Sequence, residues 1–102
     1  MNVQYKLGSS AISIACMNGR VEALRLLRDH GGDINVRGYL GKTPLMHAIE
    51  CGHSACVLLL LERGADMAIT NQEGKTAYDY CKSEDTKKML TDAANKIGYV
   101  LK

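Results

Sequence analysis

An all-α solenoid, three stacked helix-turn-helix units joined by β-hairpin fingers, is the fold class this sequence predicts. Three observations predict it. Gly8, Gly41 and Gly74 are spaced by 33 residues, and the same step relates Ser10, Thr43 and Thr76, then Ala11, Pro44 and Ala77, then Ile12, Leu45 and Tyr78. Further glycines, Gly19 and Gly52, then Gly31 and Gly64, recur at that step where a short helix has to stop. The core set is aliphatic, rich in Leu, Ile, Ala, Val, Met and Cys but with no Phe or Trp and only 5 Tyr, which suits thin, closely packed layers.

The chain opens on residues 1–7, where Met1, Asn2 and Val3 align with Ile34, Asn35 and Val36 and so predict part of a finger. Unit one, residues 8–40, has Ser10 as the expected cap of its first helix, a break at Gly19, a second helix from about Val21 to His30, and Gly31 as stop. Unit two, 41–73, starts a helix with the hydroxyl of Thr43 as N-cap and Pro44 in the first helical position, breaks at Gly52, and runs a second helix from about Ser54 to Arg63. Unit three, 74–102, replaces the paired leucines with Ala93 and Ala94 and carries Lys87, Lys88, Thr91, Asp92, Asn95 and Lys96, the pattern of a polar terminal cap. Apolar residues of the second helices, Val21, Leu24, Leu26 and Leu27 among them, cover more than one side, as packing between neighbours requires.

The middle unit resembles the ankyrin family, whose repeat reads approximately G-x-T-P-L-H-x-A, then G-H, L-L and G-A-D-V-N. Thr43, Pro44, Leu45, Ala48, Gly52, His53, Leu59, Leu60, Gly64, Ala65 and Asp66 carry the match, and the resemblance runs from residue 2 to about 97. Ser13, Met46 and Asp79 stand where the family has the histidine of T-P-L-H. The resemblance implies an ankyrin-repeat solenoid with no enzymatic activity and no cofactor, acting as an adaptor, scaffold or regulatory module of the cytoplasm or nucleus.

Composition narrows the alternatives. A net charge of +2, from 13 basic and 11 acidic residues, is far from the basic stripe that direct nucleic-acid binding needs. The apolar run around Val57–Leu61, extended at most back to Ala55, is too short to insert across a membrane. Lys6 and the following LGSSAISIAC are diluted by Gly8, Ser9, Ser10 and Ser13, which argues for a structural helix over a secretory signal. Cys16, Cys51, Cys56 and Cys81 lack compact disulfide spacing and fit reduced thiols at small apolar positions. His47, Cys51, His53 and Cys56 lie close in sequence, but the Gly52 turn separates them onto two helices, so no metal site is expected. No nucleophile–base pair or phosphate loop is evident.

A second protein or peptide is therefore the expected partner, held by a chain that is monomeric on its own. In the family, partners dock on the concave face of finger tips and first helices. Carried over, this gives Leu7, Ser9, Tyr39, Leu40, Lys42, Gln72, Glu73 and Lys75 on fingers, with Met17, Asn18, Glu50, Cys51 and Glu84 on first helices. Tyr39, Leu40, Leu7 and Met17 would form an apolar patch, and the third unit a polar one. The alternative is a structural segment of a longer solenoid whose patch packs against its own chain. Asn35, in LRDHGGDIN, also resembles the site that an asparaginyl hydroxylase accepts in animal ankyrin repeats, though hydrogen bonding at the finger base is a sufficient role for it.

Overall fold

The computed structural model describes residues 3–98, with side chains for residues 11–38 and 40–98. Five helices occur among them: α1 (Val3–Asn18), α2 (Val21–Asp29), α3 (Pro44–Glu50), α4 (Ser54–Glu62) and α5 (Glu84–Ile97). A four-residue 3₁₀ turn, Ala77–Tyr80, stands in unit three where α3 stands in unit two. The inner layer is α1, α3 and this turn, each packed on the one before, and the outer layer is α2, α4 and α5 in the same order.

Unit two follows its sequence signals closely. Thr43 is extended (φ −89°, ψ 163°), because the ring of Pro44 excludes it from helix, and its Oγ1 accepts the Met46 N–H at 3.4 Å. Unit one differs. Ser10, expected as a cap, lies inside α1, and residues 3–7, read as part of a finger, are helical. Ala11 occupies the Pro44 position, so nothing restrains residue 10 from helix, and Gly8 alone opposes continuation by only about 1 kcal/mol.

Unit three also departs. Asp79 Oδ2 accepts the Thr76 N–H at 2.9 Å and fixes the 3₁₀ turn, but Cys81 is already extended. Asp85 stands where Gly19 and Gly52 reverse the chain in left-handed conformation (φ 70° and 77°), so the turn comes earlier. Ser83 then caps α5 through Thr86 N–H, and Glu84, expected on the inner helix, opens the outer one.

The fingers are turns, not strand hairpins: no described residue is in a strand. Finger one closes with Gly38 N–H to the Lys42 carbonyl and finger two with Asn71 N–H to the Lys75 carbonyl, each at 2.9 Å. One ladder bond per finger is too few for a sheet.

The core runs through all three units, from Ile12, Cys16 and Leu24 through Leu45, Met46, Ile49, Cys56, Val57 and Leu60 to Leu90 and Ala94. Cys16 and Cys56 fill small apolar positions as expected, whereas Cys51 is exposed and Cys81 half-buried; all four are free thiols. Burial, with Cys56 nearby, pushes the Cys16 thiol up to about 12, which keeps it neutral and unreactive.

Leu60 is fully buried on α4, which packs between α2 and α5. Leu60→Ala is expected to cost about 2 to 5 kcal/mol by removing side-chain contacts and leaving a cavity. Urea titration checks this, and a change below about 1 kcal/mol would place Leu60 outside the shared core.

Candidate partner-binding face

Repeating backbone bonds position the inner surface. Finger one hands its Leu40 carbonyl to the Gln72 N–H of finger two at 3.1 Å. At the finger bases, Asn35 Oδ1 accepts the Asp66 N–H at 2.8 Å, while Asp33 and Asp66 brace their own turns by accepting from Asn35 N–H and Ala68 N–H. Asn35 thus ties adjacent units together; Ala68, one step on, has no side-chain acceptor to do the same. Near the other end of the inner helices, His53 Nε2–H donates to the Met17 carbonyl at 3.0 Å. Gly19 leaves room for that ring, since a Cβ there would stand 2.6 Å from His53 Nδ1.

The finger tips are unlike one another. Asn71 is buried, and its Oδ1 accepts from Glu73 N–H at 2.8 Å and Lys75 N–H at 3.0 Å, so finger two is held by its own side chain. Finger one has Gly38 at that position and lacks this brace. Its Leu40, with φ 57° and ψ 21°, is alone among the described non-glycine residues in left-handed conformation, and its side chain is 45% exposed.

Of the residues singled out from the sequence, Met17, Asn18, Leu40, Cys51, Gln72, Glu73, Lys75 and Glu84 are exposed, Glu84 on α5. Asn18 Nδ2 donates to the Ile14 carbonyl, which fixes its amide over the end of α1. Leu7, Ser9 and the Tyr39 side chain lie outside the described residues. Lys42 and Glu50 are brought together, Nζ to Oε1 at 2.8 Å, and Lys42 also stands 5.3 Å from the centre of the Tyr80 ring. The hydrogen bond to Glu50 raises the Lys42 pKa, and the same bond lowers that of Glu50.

Tyr80 is the residue that sequence reading missed. Its hydroxyl accepts from Asn71 Nδ2 at 2.6 Å while its ring faces Lys42, so it joins unit three to finger two and to the residue just before the first helix of unit two. Its only signal was position, 33 residues after His47 and 66 after Ile14. Ile14, likewise unnoticed, is 51% exposed. The four His and Cys residues near Gly52 do not converge: among the described residues no three of His, Cys, Asp and Glu gather as a metal cluster, and His53 turns to Met17.

The family described as "Ankyrin repeats (3 copies)" matches residues 1–71. The chain is an ankyrin-repeat protein. It is 43% identical over 72 residues to the ADP-ribosylation factor GTPase-activating protein AGD2 of Arabidopsis thaliana, a match covering 71% of this chain and 9% of that protein. It is 36% identical over 74 residues to protein phosphatase 1 regulatory subunit 12A of Mus musculus, covering 72% of this chain and 7% of that one. With the Arabidopsis thaliana E3 ubiquitin-protein ligase KEG the identity is 35% over 85 residues, covering 83% of this chain and 5% of the ligase. The chain therefore spans less than a tenth of each of these relatives. Ankyrin repeats are protein-interaction modules and generally carry no catalysis of their own. No described helix is long and apolar enough to cross a membrane.

Two outcomes follow from the ankyrin stack's polar contacts. Tyr80→Phe leaves the buried Asn71 Nδ2 without its acceptor and is expected to cost about 1 to 3 kcal/mol, read from denaturant midpoints against wild type. An unchanged midpoint would mean that Asn71 finds another partner. Burial, and then the Lys42 charge, lower the pKa of His47. The folded state thus binds fewer protons than the unfolded chain, so this contribution to stability is present above about pH 6.5 and is lost as pH falls below it. Melting at pH 7.5 and 5.5 should show a smaller acid loss for His47→Gln than for wild type.

Proposed function

We propose that this ankyrin stack is an adaptor or regulatory interaction module whose concave face, finger tips plus inner helices, binds a partner protein or peptide. The observation that carries the reading is Leu40. An aliphatic side chain is held exposed at a finger tip on backbone that glycine would occupy without strain, at a cost of about 1 to 2 kcal/mol. The corresponding residue of finger two is Glu73, which has no such strain. Strain kept at an exposed apolar tip is readily understood as serving contact with another molecule.

Charge divides the same face. On the side of unit one, Met17 and Leu40 are apolar and exposed, and neither α1 nor finger one from Ile34 to Gly41 contains an acidic residue. On the side of unit three, Gln72, Glu73 and Lys75 offer polar groups, while Lys42 and Glu50 already satisfy each other. A partner with an apolar side chain toward unit one and hydrogen-bonding groups toward unit three fits this surface. Tyr39, beside Leu40 in sequence, belongs to the same proposal as an aromatic anchor.

Leu40→Gly separates binding from stability because the two should move in opposite directions. Relief of the left-handed strain is expected to raise stability by up to about 1 kcal/mol, while partner recovery in affinity capture falls. The partner recovered by wild type, once identified, can be titrated calorimetrically against wild type, Leu40→Gly and Tyr39→Ala, the last expected to weaken binding by about 1 to 2 kcal/mol without changing the melt. Undiminished binding by both variants would remove the finger tip from the interface.

A further inference from the structure

We infer that Arg37 and Leu40 make the tip of finger one a seat for an acidic peptide, which offers a side-chain carboxylate to the guanidinium and an aliphatic residue to the leucine. The inference deepens the proposal that the concave face binds a partner, and rests on it. Finger one turns at residues 38–41, where the Gly41 N–H donates to the Gly38 carbonyl at 2.9 Å. Arg37 stands just before this turn, and its Nε–H reaches across to the Gly41 carbonyl at 3.5 Å. That bond lays the guanidinium along the tip. A Cβ on Gly41 would stand 3.2 Å from Arg37 Nη2 and 3.2 Å from Gln72 Cγ, so the arginine head and the Gln72 side chain flank the same glycine. Leu40, the adjoining residue, keeps its side chain exposed on left-handed backbone.

A guanidinium carries five N–H donors, and Arg37 gives one of them to its own finger. Among the described residues no acceptor meets its two terminal nitrogens, and no carboxylate, Glu73 of the neighbouring tip included, pairs with it. The other acidic groups nearby are engaged: Glu50 with Lys42, Asp33 with the Asn35 N–H and Asp66 with the Ala68 N–H. Finger one itself, from Ile34 to Gly41, holds no acidic residue. With the Nε edge occupied, the fork presents its two-nitrogen end, which a carboxylate meets with two parallel hydrogen bonds. An aliphatic side chain laid over Leu40 removes water beside that ion pair, so the two contacts reinforce each other.

Finger two makes the same turn with different chemistry, its Gly74 N–H donating to the Asn71 carbonyl at 3.0 Å. Thr70 stands at the Arg37 position and Glu73 at the Leu40 position, so its tip carries neither the guanidinium nor the aliphatic side chain. Bracing the turn is the simpler role for Arg37. A brace needs the Nε–H alone, however, and a bond of 3.5 Å lies at the weak end of the range. The brace therefore leaves the rest of the fork, and its charge, for another molecule.

The test selects a random-peptide library displayed on phage against the full 102-residue chain, then titrates the most enriched sequence as a synthetic peptide with an amidated C-terminus. Enriched peptides are expected to share an Asp or Glu close to an aliphatic residue. Arg37→Gln should weaken that peptide at least about fivefold without moving the melt, and Arg37→Lys should recover only part of the loss, since an ammonium gives up the parallel pair. Replacing the peptide's acidic residue by its amide should cost wild type the same factor and Arg37→Gln nothing, as a facing pair requires. Added salt should weaken wild type more than Arg37→Gln. A library without binders, peptides enriched without an acidic residue, or equal affinity for Arg37→Gln would overturn the inference. Peptides of the last two kinds that still lose affinity on Leu40→Gly would leave the concave face as the binding surface, whereas indifference to both variants would remove the finger tip as well. A lowered melt for Arg37→Gln with unchanged peptide affinity would return Arg37 to bracing its own turn.

Discussion

Burial of each outer helix between its neighbours is the constraint on which the rest of the structure depends. A 33-residue unit with two short helices has too little interior to fold alone, so Val57 and Leu60 are useful only because α2 and α5 flank α4. The polar contacts between units have a different task. His53 to Met17, Asn35 to Asp66 and Gln72 to Leu40 each join a backbone group of one unit to the next, so they fix register and orientation while the apolar layer supplies most of the free energy. A shift by one residue would break all three together.

That division of labour explains why the concave side is uneven. The first and second inner elements are joined by a histidine near their far end, and the Leu40 side chain of finger one stays exposed. The second and third are joined through Lys42, Glu50, Asn71 and Tyr80, which lie on the inner surface itself. The pair Lys42 and Glu50 is part-buried, and the buried amide of Asn71 needs both finger two and Tyr80. Finger two is consequently rigid by its own chemistry, and finger one relies on a strained Leu40 whose carbonyl is held from the neighbouring finger.

Periodic positions were legible in the sequence because each has a local cause. Thr43 with Pro44 announces a helix start, Gly52 a reversal and Gly64 a stop, and the structure places all three so. Ser10 misled because a hydroxyl caps a helix only if the chain before it is barred from helix, and Ala11 imposes no such bar. Glu84 misled because alignment carried it onto an inner helix, although Asp85 lacks the freedom of Gly19 and Gly52 to reverse the chain there. Tyr80 was invisible for another reason: its partners, Asn71 and Lys42, lie 9 and 38 residues earlier and meet it only after two units have stacked. No periodicity along one chain encodes a contact that depends on the distance between two units.

The same register relates the walls of the outer-layer groove to the other units. Forward-facing positions on α4 are Leu58 and Leu61, which look toward α5 across the groove. Their counterparts on α5 are Thr91 and Ala94, a polar residue and a small one, with exposed Asn95 beside them in place of Glu62. Backward-facing positions also differ: Asp92 on α5 is charged, Leu59 on α4 is partly buried, and Leu26 on α2 is aliphatic and exposed. Neither row is graded along the stack: in unit one Arg25 and Arg28 stand at the positions of Leu58 and Leu61, so the outer groove between α4 and α5 is the one lined by leucines on its forward wall. On α5 the Thr91 hydroxyl is turned back onto the Lys87 carbonyl at 2.8 Å and is satisfied within its own helix. Leu26 has no equivalent local way to be satisfied, since only removal from water answers an aliphatic side chain.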